Sequence, residues 1–223
     1  MLSKSLALAS ILSTAIAGPV ASLQARAALP NVEIKALPAG CASFPDYNAD
    51  TKIAGPWSIT VAAAENPDLF NYGTSTSYSL AIGSQGRPVM RWGFVNLGFA
   101  FGIARSWYQC QSDKLHVYAD TKVNAAGAPG ETKLTPVALS PYPYDASLLY
   151  LIDGEQPTLY EHYLDGEKQD GYFLGGYDTT TWGVQWQEAD STSYFLPYYY
   201  MRLLPEGQEL KTNETRVHIK IQV

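Results

Sequence analysis

Residues 148–186 read LLYLIDGEQPTLYEHYLDGEKQDGYFLGGYDTTTWGVQW, a series of short aromatic and branched runs broken by Asp165-Gly166, Asp170-Gly171 and Gly175-Gly176. Asp-Gly and Gly-Gly pairs accept the positive φ that tight turns demand, so the pattern is that of antiparallel strands joined by hairpin turns. In a strand over Thr158–Leu164, the period of two puts Leu159, Glu161 and Tyr163 on one face and Tyr160, His162 and Leu164 on the other. Glu161 and His162 therefore form no dyad. A two-residue turn at Asp165-Gly166 would set Glu161 opposite Asp170, two like charges facing each other without a cation between them, so a longer loop is expected there.

The same grammar extends in both directions. Downstream, residues 182–186 place Trp182, Val184 and Trp186 on one face. Residues 193–204 (SYFLPYYYMRLL) form another strand, where Pro197 implies an edge or a bulge. Residues 215–223 (TRVHIKIQV) alternate most cleanly, which predicts Val217, Ile219, Ile221 and Val223 inward and Arg216, His218, Lys220 and Gln222 toward water. Upstream, strands are expected over residues 57–63 (WSITVAA, after a Gly55-Pro56 break), 76–82, 107–110 and 115–119, and one bent or two buried strands over residues 89–104. Residues 140–145 (SPYPYD) favour an extended surface loop. No long stretch carries a 3.6-residue period. The fold expected is an all-β antiparallel sandwich, with a β-barrel-like closure as the alternative.

The first residues, MLSKSLALASILSTAIA, combine Lys4, an apolar run and a small-x-small site, which reads as a signal peptide over residues 1–17. The apolar run is too short to span a bilayer. Residues 18–40, with Pro19, Pro30 and Pro38, read as an arm or linker, and residues 41–223 as a single β-rich domain; later processing near Ala27 is a further expectation. In an oxidising compartment the two cysteines, Cys41 and Cys110, are expected to form one disulfide rather than remain buried thiols. Closing that loop stabilises a fold by about 4 kcal/mol on the chain-entropy model. Asn213-Glu214-Thr215 is an N-glycosylation acceptor at Asn213.

Composition narrows the function classes. The net charge is −6 and no basic cluster occurs, which argues against a nucleic-acid partner. His116, His162 and His218 lack metal-ligand spacing, so no metal is expected, and acidic residues 165–178 do not match a calcium loop. No dinucleotide fingerprint, P-loop or nucleophile elbow is present, and no cofactor is implied. Glycoside hydrolysis needs two carboxylates across an aromatic-lined groove, and Glu161 is the one carboxylate inside a strand, hence the single catalytic candidate. The 16 tyrosines are the more suggestive feature. Tyr163, Tyr172, Tyr177 and Trp182 lie near the candidate carboxylates in sequence and are the expected binding residues, since such rings stack on sugars or anchor proteins.

The segments PYPYDASLLY, YEHYLDGEKQDGYFLGGYDTTTWG and YYYMRLL, with CASFPDYNADTKIAGPW nearer the start, resemble uncharacterised small secreted proteins of filamentous fungi. The resemblance implies an extracellular location and carries no activity. The expectation is a secreted, non-enzymatic β-sandwich that binds a glycan, a cell-wall component or a host protein through aromatic loops. The alternatives are a carbohydrate-active hydrolase or lyase using Glu161, and a structural surface-coat protein.

Overall fold

The computed structural model of the chain describes residues 28–82, 88–97, 107–120, 132–137, 139, 156–188 and 198–223. The expected signal peptide, Pro197 and the 140–145 loop lie outside them. Thirteen strands are present among the described residues: β1 (Glu33–Ala36), β2 (Ile53–Ala64), β3 (Thr74–Ile82), β4 (Pro88–Leu97), β5 (Tyr108–Gln111), β6 (Lys114–Asp120), β7 (Thr132–Pro136), β8 (Thr158–Leu164), β9 (Glu167–Lys168), β10 (Tyr172–Gly175), β11 (Thr181–Gln187), β12 (Tyr198–Leu203) and β13 (Glu214–Gln222). All pair antiparallel, in the order β3-β4-β12-β11-β13-β2-β5-β6-β7, and no ladder joins β3 to β7 among the described residues. The all-β, antiparallel, singly bridged chain expected from the sequence is what forms.

β13 is where the sheet forks. One of its edges carries β2; the other carries β11 along its first half and β10 along its second. From β10 a branch continues to β8, which also holds β1 and β9. The arm expected over residues 18–40 thus contributes a strand to the sheet, extended by a bond from Leu37 N to the Leu159 carbonyl. Val217, Ile219 and Ile221 fill the core as their alternation predicts. Two residues depart from it. Val223 lies past the end of β13 and is 76% exposed, while His218, expected to face water, is 3% exposed. The reason is that His162 of β8, the Thr180 carbonyl before β11 and Pro30 of the arm close around its ring.

The Asp165-Gly166 turn is the second correction. It is a two-residue turn, with φ of 52° and 81°, pairing Leu164 with Glu167 and Tyr163 with Lys168. The repulsion expected at Glu161 is removed because Lys168 supplies the cation, its Nζ 2.6 Å from Glu161 Oε1. The Gly55-Pro56 break falls inside β2, where the pairing with β5 shifts register between Ala54 and Trp57.

Cys41 and Cys110 are bonded, with Cα atoms 5.3 Å apart across 69 residues, and both are buried. The bridge fastens the start of the domain to β5. Beside it Asp113, in the β5–β6 turn, accepts a hydrogen bond from Cys41 N at 3.2 Å, and Phe44 stacks on Trp57.

The opposite side of the fork is held by an ion pair. Arg202 of β12 donates from Nε to Glu214 Oε1 at 2.8 Å and from Nη2 to Oε2 at 2.7 Å. Their side chains are 2% and 0% exposed. A buried charge pair persists only where its remaining bonding capacity is met. Here Arg202 Nη2 also reaches the Glu209 carbonyl, and Lys211 N donates to Glu214. The pair bridges β12 to β13 over Gly183 of the intervening β11; a Cβ at Gly183 would lie 2.5 Å from Glu214 Oε1. Gly183→Ala is therefore expected to cost about 2–4 kcal/mol in urea denaturation, by displacing one partner of a buried pair. Gly166→Ala, with nothing within 4 Å and only a φ of 81° to accommodate, is expected to cost about 1 kcal/mol.

Candidate functional site

The β8–β9 hairpin gathers three of the chemically active side chains. Glu161 of β8 accepts from the Tyr163 hydroxyl at 2.7 Å and from Lys168 Nζ at 2.6 Å, so each carboxylate oxygen is occupied. Lys35 of β1 is its cross-strand neighbour. The hydrogen bond from Lys168, then that from Tyr163, hold the Glu161 carboxyl below the usual carboxylate range. The same contacts push the Tyr163 phenol and the Lys168 ammonium upward. A general acid for glycoside cleavage requires a raised carboxyl pKa. Glu161 is shifted the other way.

Past this hairpin the chain turns at Asp170-Gly171 into β10 and opens a cleft of 610 Å³ against the last residues of β13. Gly171 has a φ of 104°, and a Cβ there would approach Lys220 Cδ to 3.1 Å, so the Lys220 stem lies across the turn backbone. Tyr172 forms one wall, half-buried and packed against the core. Lys168, Gln169, Asp170, Lys220 and Asn71 supply the polar lining. Gln169 donates its side-chain amide to the Glu167 carbonyl. The cleft therefore combines an aromatic wall with a carboxylate, two ammonium groups and side-chain amides. That set of donors and acceptors can engage a polyhydroxy ligand from several directions.

The four rings expected at the site are not brought together. Tyr163 is tied to Glu161, and Tyr172 lines the cleft. Tyr177 stands at the tip of the Gly176–Thr179 turn with a φ of 51° and 39% exposure. Trp182 is a correction: it is 2% exposed, and its Nε1 donates to the Leu174 carbonyl at 3.0 Å. It fills the core. Lys168, Lys220 and Asn71 were not legible as a group, because β-pairing joins them across the chain.

Sequence reasoning also missed a buried polar cluster behind β8. The His162 ring stacks on Phe173 with centroids 3.5 Å apart, and its Nε2 is hydrogen-bonded to Thr180 Oγ1 at 2.8 Å. The His218 ring meets His162 edge-on at 4.9 Å, and its Nδ1 donates to the Thr180 carbonyl at 3.0 Å. Burial, with His218 alongside, pushes His162 down to about 3. Burial also lowers His218, opposed by the carbonyls of Thr180 and Pro30. Among the described residues no group of three or more His, Cys, Asp or Glu is placed to hold a metal, and no helix is long and apolar enough to cross a membrane.

No protein-family model matches the chain, and no curated protein matches it either.

The His162 geometry sets a pH dependence. The unfolded chain takes up a proton near the ordinary histidine value, whereas the folded one does so only near 3. The unfolded state thus binds more protons between those values, and stability is full above pH ~6.5 and lost as pH falls toward 3. Urea midpoints measured across this window are expected to report a loss of about 2–4 kcal/mol. The His162→Phe variant is expected to show a shallower slope.

Proposed function

We propose that the protein is a secreted, non-enzymatic binding module whose cleft between the Asp170-Gly171 turn and the end of β13 takes a glycan. The observation that carries this reading is the convergence of Tyr172, Asp170, Gln169, Lys168, Lys220 and Asn71 on one 610 Å³ cleft. A sugar presents an apolar ring face and a rim of hydroxyls, and such a lining offers an aromatic side chain for the first and both donors and acceptors for the second. The leader-like residues 1–17 and the Cys41–Cys110 bridge support an extracellular setting. Against a hydrolase stands Glu161, whose oxygens are engaged by Lys168 and Tyr163 and whose carboxyl is held ionised.

Asn213 supports the same setting. It is exposed on a turn closed by a bond from Glu214 N to the Lys211 carbonyl. Protein collected from the medium of a eukaryotic host is expected to carry a glycan that Asn213→Gln removes, read by intact mass.

A glycan array followed by calorimetry on the best hit tests the binding reading. Asp170→Asn and Lys220→Met change exposed or half-exposed polar groups, so both variants are expected to fold. Each is expected to weaken binding by about tenfold, the value of one good polar contact. Empty arrays, or equal affinities in both variants, would contradict the proposal, as would turnover of a polysaccharide that Glu161→Gln abolishes.

A further inference from the structure

A partly buried charge ordinarily keeps a counter-ion, because removing it from water is costly unless an opposite charge meets it. Of the cations whose side chains are described, Arg202, Arg216 and Lys220 are the ones buried or half-buried. Arg202 is bound to Glu214. Arg216 stands in the wall of a second cleft, of 430 Å³, on the other side of the fork, between the arm at residues 29–34, the start of β11 and the β12–β13 loop. Its guanidinium is bound to Glu65, with Nη1 2.9 Å from Oε1. Lys220 differs from both: among the described residues no carboxylate stands within ion-pair distance of its Nζ, and no hydrogen bond ties it. The side chain is nevertheless placed. A Cβ at Gly171 would lie 3.1 Å from Lys220 Cδ and 3.7 Å from Nζ, so the stem rests on the turn backbone and carries the ammonium into the glycan cleft.

Lys168 adds a second ammonium to that lining; one of its N–H groups goes to Glu161 at 2.6 Å and two remain. Asp170 is the lining's side-chain carboxylate, exposed and in no ion pair with either lysine. The side chains of the cleft thus carry two positive charges and one negative, and Lys220 and Asp170 share it without meeting each other. A ligand that serves both brings an anionic group to Lys220 and hydroxyl donors to Asp170. A neutral sugar offers the ammonium only hydroxyl oxygens, and an amino sugar sets its own charge against two ammonium groups. The net charge of −6 opposes an acidic ligand at long range. At 0.15 M salt that field decays over about 8 Å, so the groups in contact decide. Given the glycan reading of the cleft, on which this inference rests, we propose that the saccharide is acidic, with its anionic group on Lys220 and its hydroxyls on Asp170.

The test is an NMR titration of the folded protein at pH 7 with sugars that differ only at C6. The probes are methyl glucuronide, methyl glucoside and methyl glucoside 6-sulfate, and the same three in the galactose series. The expected result is a saturable shift with an acidic member that binds about tenfold tighter than its neutral counterpart, the value of one good polar contact. The sulfate arm separates the sources of the charge: the tighter of uronate and sulfate ester supplies the anionic group. Lys220→Met is expected to fold, since Lys220 bonds no described residue, and to bring the acidic sugar down to the affinity of the neutral one. Lys220→Arg keeps the charge and is expected to keep most of the preference. Equal affinities for acidic and neutral sugars, a neutral best hit on the glycan array, or a preference that survives Lys220→Met would overturn this proposal and leave the glycan reading standing. An empty array together with no shift from any of the six sugars would overturn both.

Discussion

The constraint from which the rest of the structure follows is that β13 is paired on both edges and carries Glu214, Thr215 and His218 buried along it. The buried polar side chains of that strand, Glu214, Thr215 and His218, have to find hydrogen bonds within the protein, because little water reaches them. Glu214 does so through Arg202, Thr215 through a bond to Glu65 and His218 through the Thr180 carbonyl. These three contacts reach β12, the residue that follows β2 and the turn before β11 respectively. The satisfaction of one strand's polar groups thereby fixes the relative positions of its neighbours.

Glycine sets where this is possible. At Gly183 the absence of a Cβ leaves room for the Glu214 carboxylate above β11. At Gly175 a Cβ would fall 2.0 Å from the Thr179 carbonyl oxygen, so the turn that delivers Thr180 to both histidines closes only over a glycine. Burial of the Arg202–Glu214 pair adds little net energy over an apolar alternative. Its consequence is positional: with Glu209 and Lys211 bonded to it, the loop after β12 is held where it walls the second cleft.

Much of this was legible before any coordinates. Residues 57–63, 76–82, 158–164, 182–186 and 215–222 fall within strands because period-two alternation reports the face that a sheet buries. That pattern reports only one covering layer. It assigned His218 to water because the groups that close around it, His162, Thr180 and Pro30, come from elsewhere in the chain. It grouped Trp182 with surface rings because ring content does not distinguish a core filler from a platform. The Asp165-Gly166 turn was misread for an energetic reason: like charges at Glu161 and Asp170 were weighed without Lys168, which the hairpin itself brings within 2.6 Å. The polar cleft was invisible for the same reason as the fork, since Asn71, Asp170 and Lys220 meet only through β13 and its partners.

The two clefts lie toward opposite ends of β13, and both depend on it as the strand shared by the two branches. Amide hydrogen exchange of the folded protein, resolved to single residues, tests that arrangement most directly. The account predicts that the amides of Val217, Ile219 and Ile221 are among the slowest in the chain and exchange only through global unfolding. Exchange of those amides through local opening, at rates typical of an edge strand, would contradict it.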